Sequence, residues 1–257
     1  MVEGETTMTQ DNREMQLSAS DRLFVLTGAG ISAESGLATF RGSDGLWNGY
    51  RVEEVATPEG WAENPELVWR FYSMRRRDAL AAEPNAAHVA LARLEERMGE
   101  RFYLCTQNVD DLHERAGSRR VHHMHGTLFC SRCVRCQQPF ADARFYETAG
   151  ELPVCERCGS AVRPHIVWFG EIPRDMDGIY RELEQATVLL VVGTSGSVYP
   201  AAGLVQVARQ RGIATVYVGP ERPLNAQAFG EIRLGTAVEV LPGLFGETGA
   251  HLNTPKR

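Results

Sequence analysis

The 257-residue chain has no apolar run long enough to span a bilayer, which excludes a helical membrane protein and leaves no membrane partner expected. It has no internal repeat and no low-complexity tract, so solenoid and compositionally disordered architectures are excluded as well. Positive charge is not in excess. The 33 acidic residues against 27 basic give a formal net charge of −6, which argues against nucleic acid as the main partner. The chain is polar up to about residue 20, without the apolar stretch of a signal peptide, so a disordered leader over 1–19 and a cytoplasmic location are expected. Hydrophobic content of 43% and charged content of 23% match an ordinary globular protein with one α/β core plus a small module. In a reducing compartment its six cysteines are expected to be reduced, metal-bound or buried rather than paired.

What is present begins with Leu23-Phe24-Val25-Leu26, which reads as a buried parallel strand running straight into Gly28-Ala29-Gly30-Ile31-Ser32-Ala33. Strand followed by Gly-x-Gly-x-x-Ala is the entry to a dinucleotide turn: the glycines admit backbone to a pyrophosphate, and the following N–H groups face its charge. The continuation after Glu34, Ser35-Gly36-Leu37-Ala38-Thr39-Phe40-Arg41-Gly42, reads as a loop closing over a ligand rather than a long crossover helix. Further strand-like runs lie at Arg101–Cys105, His165–Phe169, Val188–Val192, Thr215–Val218 and Ala237–Leu241. Helical patterns separate several of them, which predicts a mostly parallel, Rossmann-like sheet with helices on both faces. Residues 48–83 and 129–162 break that alternation and are expected to form a second lobe. The nucleotide-binding domain then comprises 20–47, 84–128 and 163–245, with a flexible tail over 246–257.

Cys133-x-x-Cys136 and Cys155-x-x-Cys158, 18 residues apart, carry the zinc-ribbon signature. Four thiolates leave no position open for water, so one structural zinc is expected; Cys130, three before Cys133, permits another pairing. Cys105 reads as core. Gln107, Asn108, Val109 and Asp110 follow a strand, where polar groups either contact a ribose and an amide or simply cap a helix. Of His122, His123 and His125, one imidazole could act as a general base, and spacing does not choose among them.

Asn64-Pro65 opens a helix, as N-cap and first helical position. At ~100° per residue, Leu67, Phe71 and Met74 share a face that Val68, Tyr72 and Ala79 extend. Arg75 falls inside this apolar arc, whereas Arg76 and Arg77 fall outside it and read as a solvated face. A guanidinium on an apolar face requires an anionic partner, and Tyr72, three residues away, is its neighbour.

These motifs, with His123-Met124-His125-Gly126, Pro164-His165-Ile166-Val167-Trp168-Phe169-Gly170-Glu171 and Gly193-Thr194-Ser195, together resemble the sirtuins, NAD-dependent protein-lysine deacylases, of the bacterial CobB type. The resemblance covers roughly residues 20–245. It implies that NAD is consumed, with Gly28, Ala29, Gly30, Ser32, Ala33, Glu34, Thr39, Phe40, Arg41, Trp47, Gln107, Asn108, Val109, Asp110, Gly193, Thr194, Ser195, Gly219, Pro220, Glu221 and Ala237 around it. It implies His125 as general base, Asn108 as the group orienting the ribose, Asp110 as holder of the carboxamide and Phe40 as a shield against water. Val167, Trp168, Phe169, Gly170 and Glu171 are implied to pair with an acyl-lysine peptide as an added strand. Tyr72 and Arg75 match the Tyr-x-x-Arg pair that reads the carboxylate of succinyl-, malonyl- or glutaryl-lysine in class III sirtuins. The expected enzyme is thus a monomeric desuccinylase and demalonylase with deacetylase activity. The alternatives are a protein mono-ADP-ribosyltransferase on the same fold, which would label a partner from NAD, and an NAD-sensing adaptor that releases no nicotinamide. Three positions depart from the family pattern: Gly219 stands where relatives carry asparagine, Cys130 where lysine is common, and Ser43 where alanine is frequent.

Overall fold

The structure, a computed structural model, describes residues 14–39, 46–147, 150, 152–196 and 199–245. The apolar run forms β1 (Leu23–Thr27), every residue of which is buried. Two single 3₁₀ turns, Ala29–Ile31 and Ala33–Ser35, follow in place of a crossover helix. A short hairpin, β2 (Leu46–Trp47) and β3 (Tyr50–Arg51), leads to α1 (Val52–Val55), α2 (Pro58–Glu63) and α3 (Pro65–Ala81). α3 begins as expected: Asn64 Oδ1 accepts the Leu67 N–H at 3.0 Å, and Pro65 sits where no amide donor is needed. Then come α4 (Ala86–Met98), β4 (Phe102–Thr106), α5 (Leu112–Arg115) and β5 (Val121–His123). The strands β6 (Gly126–Cys133), β7 (Pro139–Ala141) and β8 (Val162–Ile166) form a separate antiparallel sheet. Next are α6 (Met176–Gln185), β9 (Val188–Val192), α7 (Ala201–Gln210), β10 (Ala214–Gly219), β11 (Glu231–Leu234) and α8 (Ala237–Leu244).

Six strands pair in parallel in the order β11-β10-β9-β1-β4-β5. One face packs α4 and α8 through Leu23, Val25, Leu91 and Leu241; the other packs α6 and α7 through Phe24, Leu26, Ile179 and Leu204. The order reverses between β1 and β9, and open α/β sheets bind ligands in the crevice outside the carboxyl ends of such a pair.

Several expectations need correcting. The run Ala237–Leu241 is helical, because Thr236 and Glu239 form a capping box that starts α8; the strand is the preceding Glu231–Leu234. The run His165–Phe169 does not join the parallel sheet: β8 ends at Ile166 and pairs antiparallel with β6. Val121–His123 is an edge strand too short for any period to reveal. At the N-terminus, the Met15 N–H bonds the Leu244 carbonyl at 2.7 Å, and Met15 and Leu17 pack on the first core, so the end of the expected leader is docked.

The second lobe joins α1, α2 and α3 to the antiparallel sheet around Val55, Phe71 and Trp168. Trp69 reaches the far side of that lobe, donating from Nε1 to the Val162 carbonyl at 3.0 Å. Arg76 follows it and is not solvated: it is 0% exposed. Its guanidinium donates to the carbonyls of Leu128 and Arg144 and to Ser131 Oγ, and lies 3.6 Å from the equally buried Asp142 carboxylate. The helix has protein on both sides, so the face opposite the apolar arc is not a water face. Arg77 behaves as expected, half-exposed and paired with Glu147.

Removing the Arg76 cation strips a partner from a buried carboxylate that Arg144 and Ser131 still contact. We expect Arg76→Met to lower stability by about 3 kcal/mol and Arg77→Met by about 0.5 kcal/mol or less, measured from urea unfolding midpoints.

Candidate active site

The crevice is built by close backbone contact. The Gly28 N–H bonds the Val192 carbonyl at 2.9 Å, and the Gly30 N–H bonds that of Gly193 at 2.8 Å. A β-carbon on Gly30 would stand 2.7 Å from Gly193 Cα, and Gly193 has a φ of +63°, so both positions require glycine. A cleft of about 530 Å³ opens beside this contact. One half is lined by Gly28, Ala29, Gly30, Ser32, Thr39, Gly193, Thr194, Ser195, Pro220 and Glu221. The other half is lined by Trp47, Tyr72, Arg75, Gln107, Asn108, Val109, Asp110, His125 and the segment Val167 to Glu171. A cradle of glycine backbone at a strand's carboxyl end, with polar side chains across from it, fits a dinucleotide.

Some expected residues lie elsewhere. Ala33 and Glu34 are exposed on the second 3₁₀ turn, Gly219 ends β10 outside the lining, and Ala237 is buried in the core as the first residue of α8. Phe40, Arg41 and Ser43 lie outside the described residues. Leu37 and Ala38 of the loop expected to close over a ligand line the cleft, which also takes residues that the sequence reading missed, among them Tyr199, Tyr217, Arg222, Pro223 and Leu224. The expected Pro220 and Glu221 open this stretch, and extending that expectation back into β10 and onward along the loop would have reached Tyr217 and Arg222 to Leu224.

Asn108 Nδ2 donates to Ser32 Oγ at 3.1 Å, and that hydroxyl donates to Asp110 Oδ2 at 3.2 Å. Asp110 also accepts the Leu112 N–H at 3.2 Å, so the capping and cleft-lining alternatives coexist. Burial raises its pKa, against the hydrogen bonds from Leu112 and Ser32. The histidines separate by their partners. His123 bonds the Asn108 carbonyl through Nδ1 and Glu114 through Nε2; burial opposes its charge, but these partners outweigh burial and raise its pKa. His122 Nε2 meets the Arg174 carbonyl at 3.3 Å. His125 lines the cleft and places Nδ1 3.1 Å from the Gln107 carbonyl. A carbonyl only accepts, so Nδ1 carries the proton and the neutral ring leaves Nε2 as the basic nitrogen. Burial lowers its pKa and favours that neutral form.

Tyr72 and Arg75 both face the cleft and are 1% and 7% exposed. The Trp168 indole N–H donates to the Tyr72 hydroxyl at 3.0 Å. The Arg75 guanidinium lies 4.7 Å over the Trp47 ring and has one long hydrogen bond, 3.5 Å, to the Ala38 carbonyl. No carboxylate among the described residues bonds to it. Beside this pair, the segment from Val167 is tied down. Val167 N–H bonds the His125 carbonyl and Phe169 N–H that of Ala56. Glu171 accepts the Trp168 N–H at 2.8 Å, two Arg163 bonds at 2.7 and 2.9 Å and one from Arg132 at 3.1 Å.

A profile described as the Sir2 family matches residues 28–200. The chain belongs to the Sir2 family. It is 54% identical over 224 residues to a protein of Caulobacter vibrioides named NAD-dependent protein deacylase, covering 86% of this chain and 94% of that one. A protein of the same name from Salmonella typhimurium is 48% identical over 234 residues, covering 88% and 84%. Among solved structures, a Sir2 homolog–NAD complex superposes with a TM-score of 0.80 at 46% identity, over 88% of this chain and 89% of that one.

The Sir2 fold here also carries the cysteine module. The Sγ atoms of Cys133, Cys136, Cys155 and Cys158 all lie within 4.8 Å of one another, and Cys130 stands apart from them. The N–H groups of Arg135 and Cys136 point at Cys133 Sγ from 3.4 Å, closing a tight knuckle. Four sulfurs at this spacing fit one tetrahedral zinc with no open position. Elemental analysis is expected to give one zinc per chain, and Cys155→Ser to lower that content together with the melting temperature, while Cys130→Ser leaves both unchanged.

Proposed function

We propose that this protein is an NAD-dependent protein-lysine deacylase whose pocket favours acidic acyl groups, succinyl and malonyl, while also accepting acetyl. The products on this reading are nicotinamide, the free lysine and O-acyl-ADP-ribose. Arg75 carries the proposal for the acyl group. A guanidinium 7% exposed, stacked on an indole and without a carboxylate partner among the described residues, gains most from a ligand bearing one. The names of the relatives and the NAD complex of a Sir2 homolog support the reaction class.

NAD, when bound, supplies a nicotinamide–ribose bond whose cleavage provides an acceptor for the acyl group. The side chains then have distinct tasks. Asn108, its amide held by Ser32 Oγ, orients the sugar, and Asp110 holds the carboxamide. His125 accepts a proton at Nε2 while the Gln107 carbonyl fixes its ring. Tyr72 and Arg75 receive the acyl carboxylate, the phenol held in place by Trp168. The Val167 and Phe169 N–H groups are already engaged, so an added peptide strand pairs mainly with carbonyls of this segment. The protein acts as a monomer, without nucleic acid or membrane; no helix among the described residues is long and apolar enough to cross a bilayer.

Mass spectrometry of acetyl-, succinyl- and malonyl-lysine peptides incubated with NAD tests the reading directly: no deacylated peptide sinks it. Arg75→Met should reduce desuccinylation about 100-fold, roughly 3 kcal/mol for a charge-assisted pair, and spare deacetylation. Equal loss of both activities removes Arg75 from its role. His125→Tyr should abolish every deacylation with an unchanged melting temperature. Because His125 acts neutral and its pKa is lowered, the acid limb of kcat/KM should fall below the ordinary histidine value of ~6.5. A limb above that value points to another base.

A further inference from the structure

Gly219 ends β10 beside the nucleotide half of the cleft and carries no side chain, and the space a side chain would take is filled. A β-carbon there would stand 2.2 Å from the hydroxyl of Tyr217 and 2.6 Å from its Cζ. Tyr217 precedes Gly219 by two positions on β10, so both project from the same face of the strand. The phenol runs along that face beneath residue 219, its ring against Phe229 and its hydroxyl 3.3 Å from the Thr194 carbonyl. Tyr217 is 4% exposed and yet lines the cleft, between Thr194 on one strand end and Pro220 on the next. Its neighbours Val216 and Val218 point into the opposite core, while the Tyr217 ring packs in the core of its own face and brings its hydroxyl to the edge of that core, at Thr194.

The location narrows what the hydroxyl meets. A dinucleotide crossing the reversal between β1 and β9 sets its diphosphate over the Gly28–Gly30 turn. The half that reacts lies toward β4, where Asn108 and His125 stand. The other half, adenine and its ribose, therefore lies over the ends of β9 and β10. A phenol is well suited to a ribose diol there, because each hydroxyl both donates and accepts.

We propose that Tyr217, given room by Gly219, binds a hydroxyl of the adenine-side ribose of NAD. This rests on the deacylase reading for the identity of the ligand. Tyr217 is a binding residue on this account and does no chemistry: it acts on KM for NAD and not on kcat.

The test compares the intact protein with Tyr217→Phe, which keeps the ring and its packing. Each is assayed by nicotinamide release with NAD and with NAD analogues lacking the 2′- or 3′-hydroxyl of the adenine-side ribose. Loss of one neutral hydrogen bond corresponds to a five- to tenfold effect, on the order measured for such bonds. Tyr217→Phe should raise KM for NAD by that factor, with kcat and the acyl-peptide KM within twofold. One analogue should show the same penalty with the intact protein and none with Tyr217→Phe. The proposal is overturned if Tyr217→Phe keeps the KM for NAD within twofold, or if analogue and variant penalties multiply. A purely structural tyrosine would lower the melting temperature and leave the analogue penalties equal. Should the intact protein release no nicotinamide, the deacylase reading fails instead, and calorimetric NAD affinities of the two proteins still decide the role of Tyr217.

Discussion

Two glycine backbones in contact at the sheet's reversal point hold the cleft open and in register. Gly30 and Gly193 approach more closely than any side chain allows, and their hydrogen bond stitches the loop after β1 to the loop after β9. The same stitching continues outward. The Gly193 N–H bonds the Val218 carbonyl, and the Gln107 N–H bonds that of Thr27, so four neighbouring strands end in one connected rim. A methyl group on either glycine would separate the loops and disperse the donors that face an anion. The parallel sheet below supplies rigidity, but this contact fixes where a ligand can lie.

The second lobe depends on α3 in a comparable way. Tyr72 and Arg75 turn toward the cleft, while Trp69 and Arg76 turn into the antiparallel sheet beside the cysteines. The two buried arginines are therefore opposites in chemistry. Arg76 has its carbonyls and carboxylate within the protein, whereas Arg75 has an indole and one distant carbonyl. The metal module thus supports the cleft at one remove: it holds the far side of the helix whose near side, with Tyr72 and Arg75, lines the proposed acyl pocket.

How much of this was legible in the sequence depended on whether one element or several decided the outcome. β1, β9 and the start of α3 are local: an unbroken apolar run, or Asn-Pro before a helical arc, suffices to specify them. The four zinc-spaced cysteines were legible for the same reason, since spacing alone brings each pair together. Arg76 was misread because helical periodicity reports an apolar face and says nothing of a second protein surface opposite it. Ala237–Leu241 was misread as a strand from its apolar content, although Thr236 and Glu239 signalled a helix start. His122, His123 and His125 could not be separated by spacing. Their partners separate them, and those partners come from the loop after β4, from α5 and from the loop after β8. Tyr217 was overlooked because an aromatic inside a valine-rich strand reads as core, which its ring also is.

The Glu171 carboxylate receives four hydrogen bonds from the Trp168 amide, Arg163 and Arg132. That arrangement freezes this lip of the cleft, so the entropic charge for ordering it is met during folding, before the peptide of the proposed reaction arrives. A visiting chain then loses only its own freedom. Recognition through a prearranged main-chain edge carries little information about neighbouring side chains. On the proposed reading, discrimination is left to the end of the cleft lined by Tyr72 and Arg75. A catalyst that works as proposed is tuned to a chemical mark and tolerant of the protein that bears it.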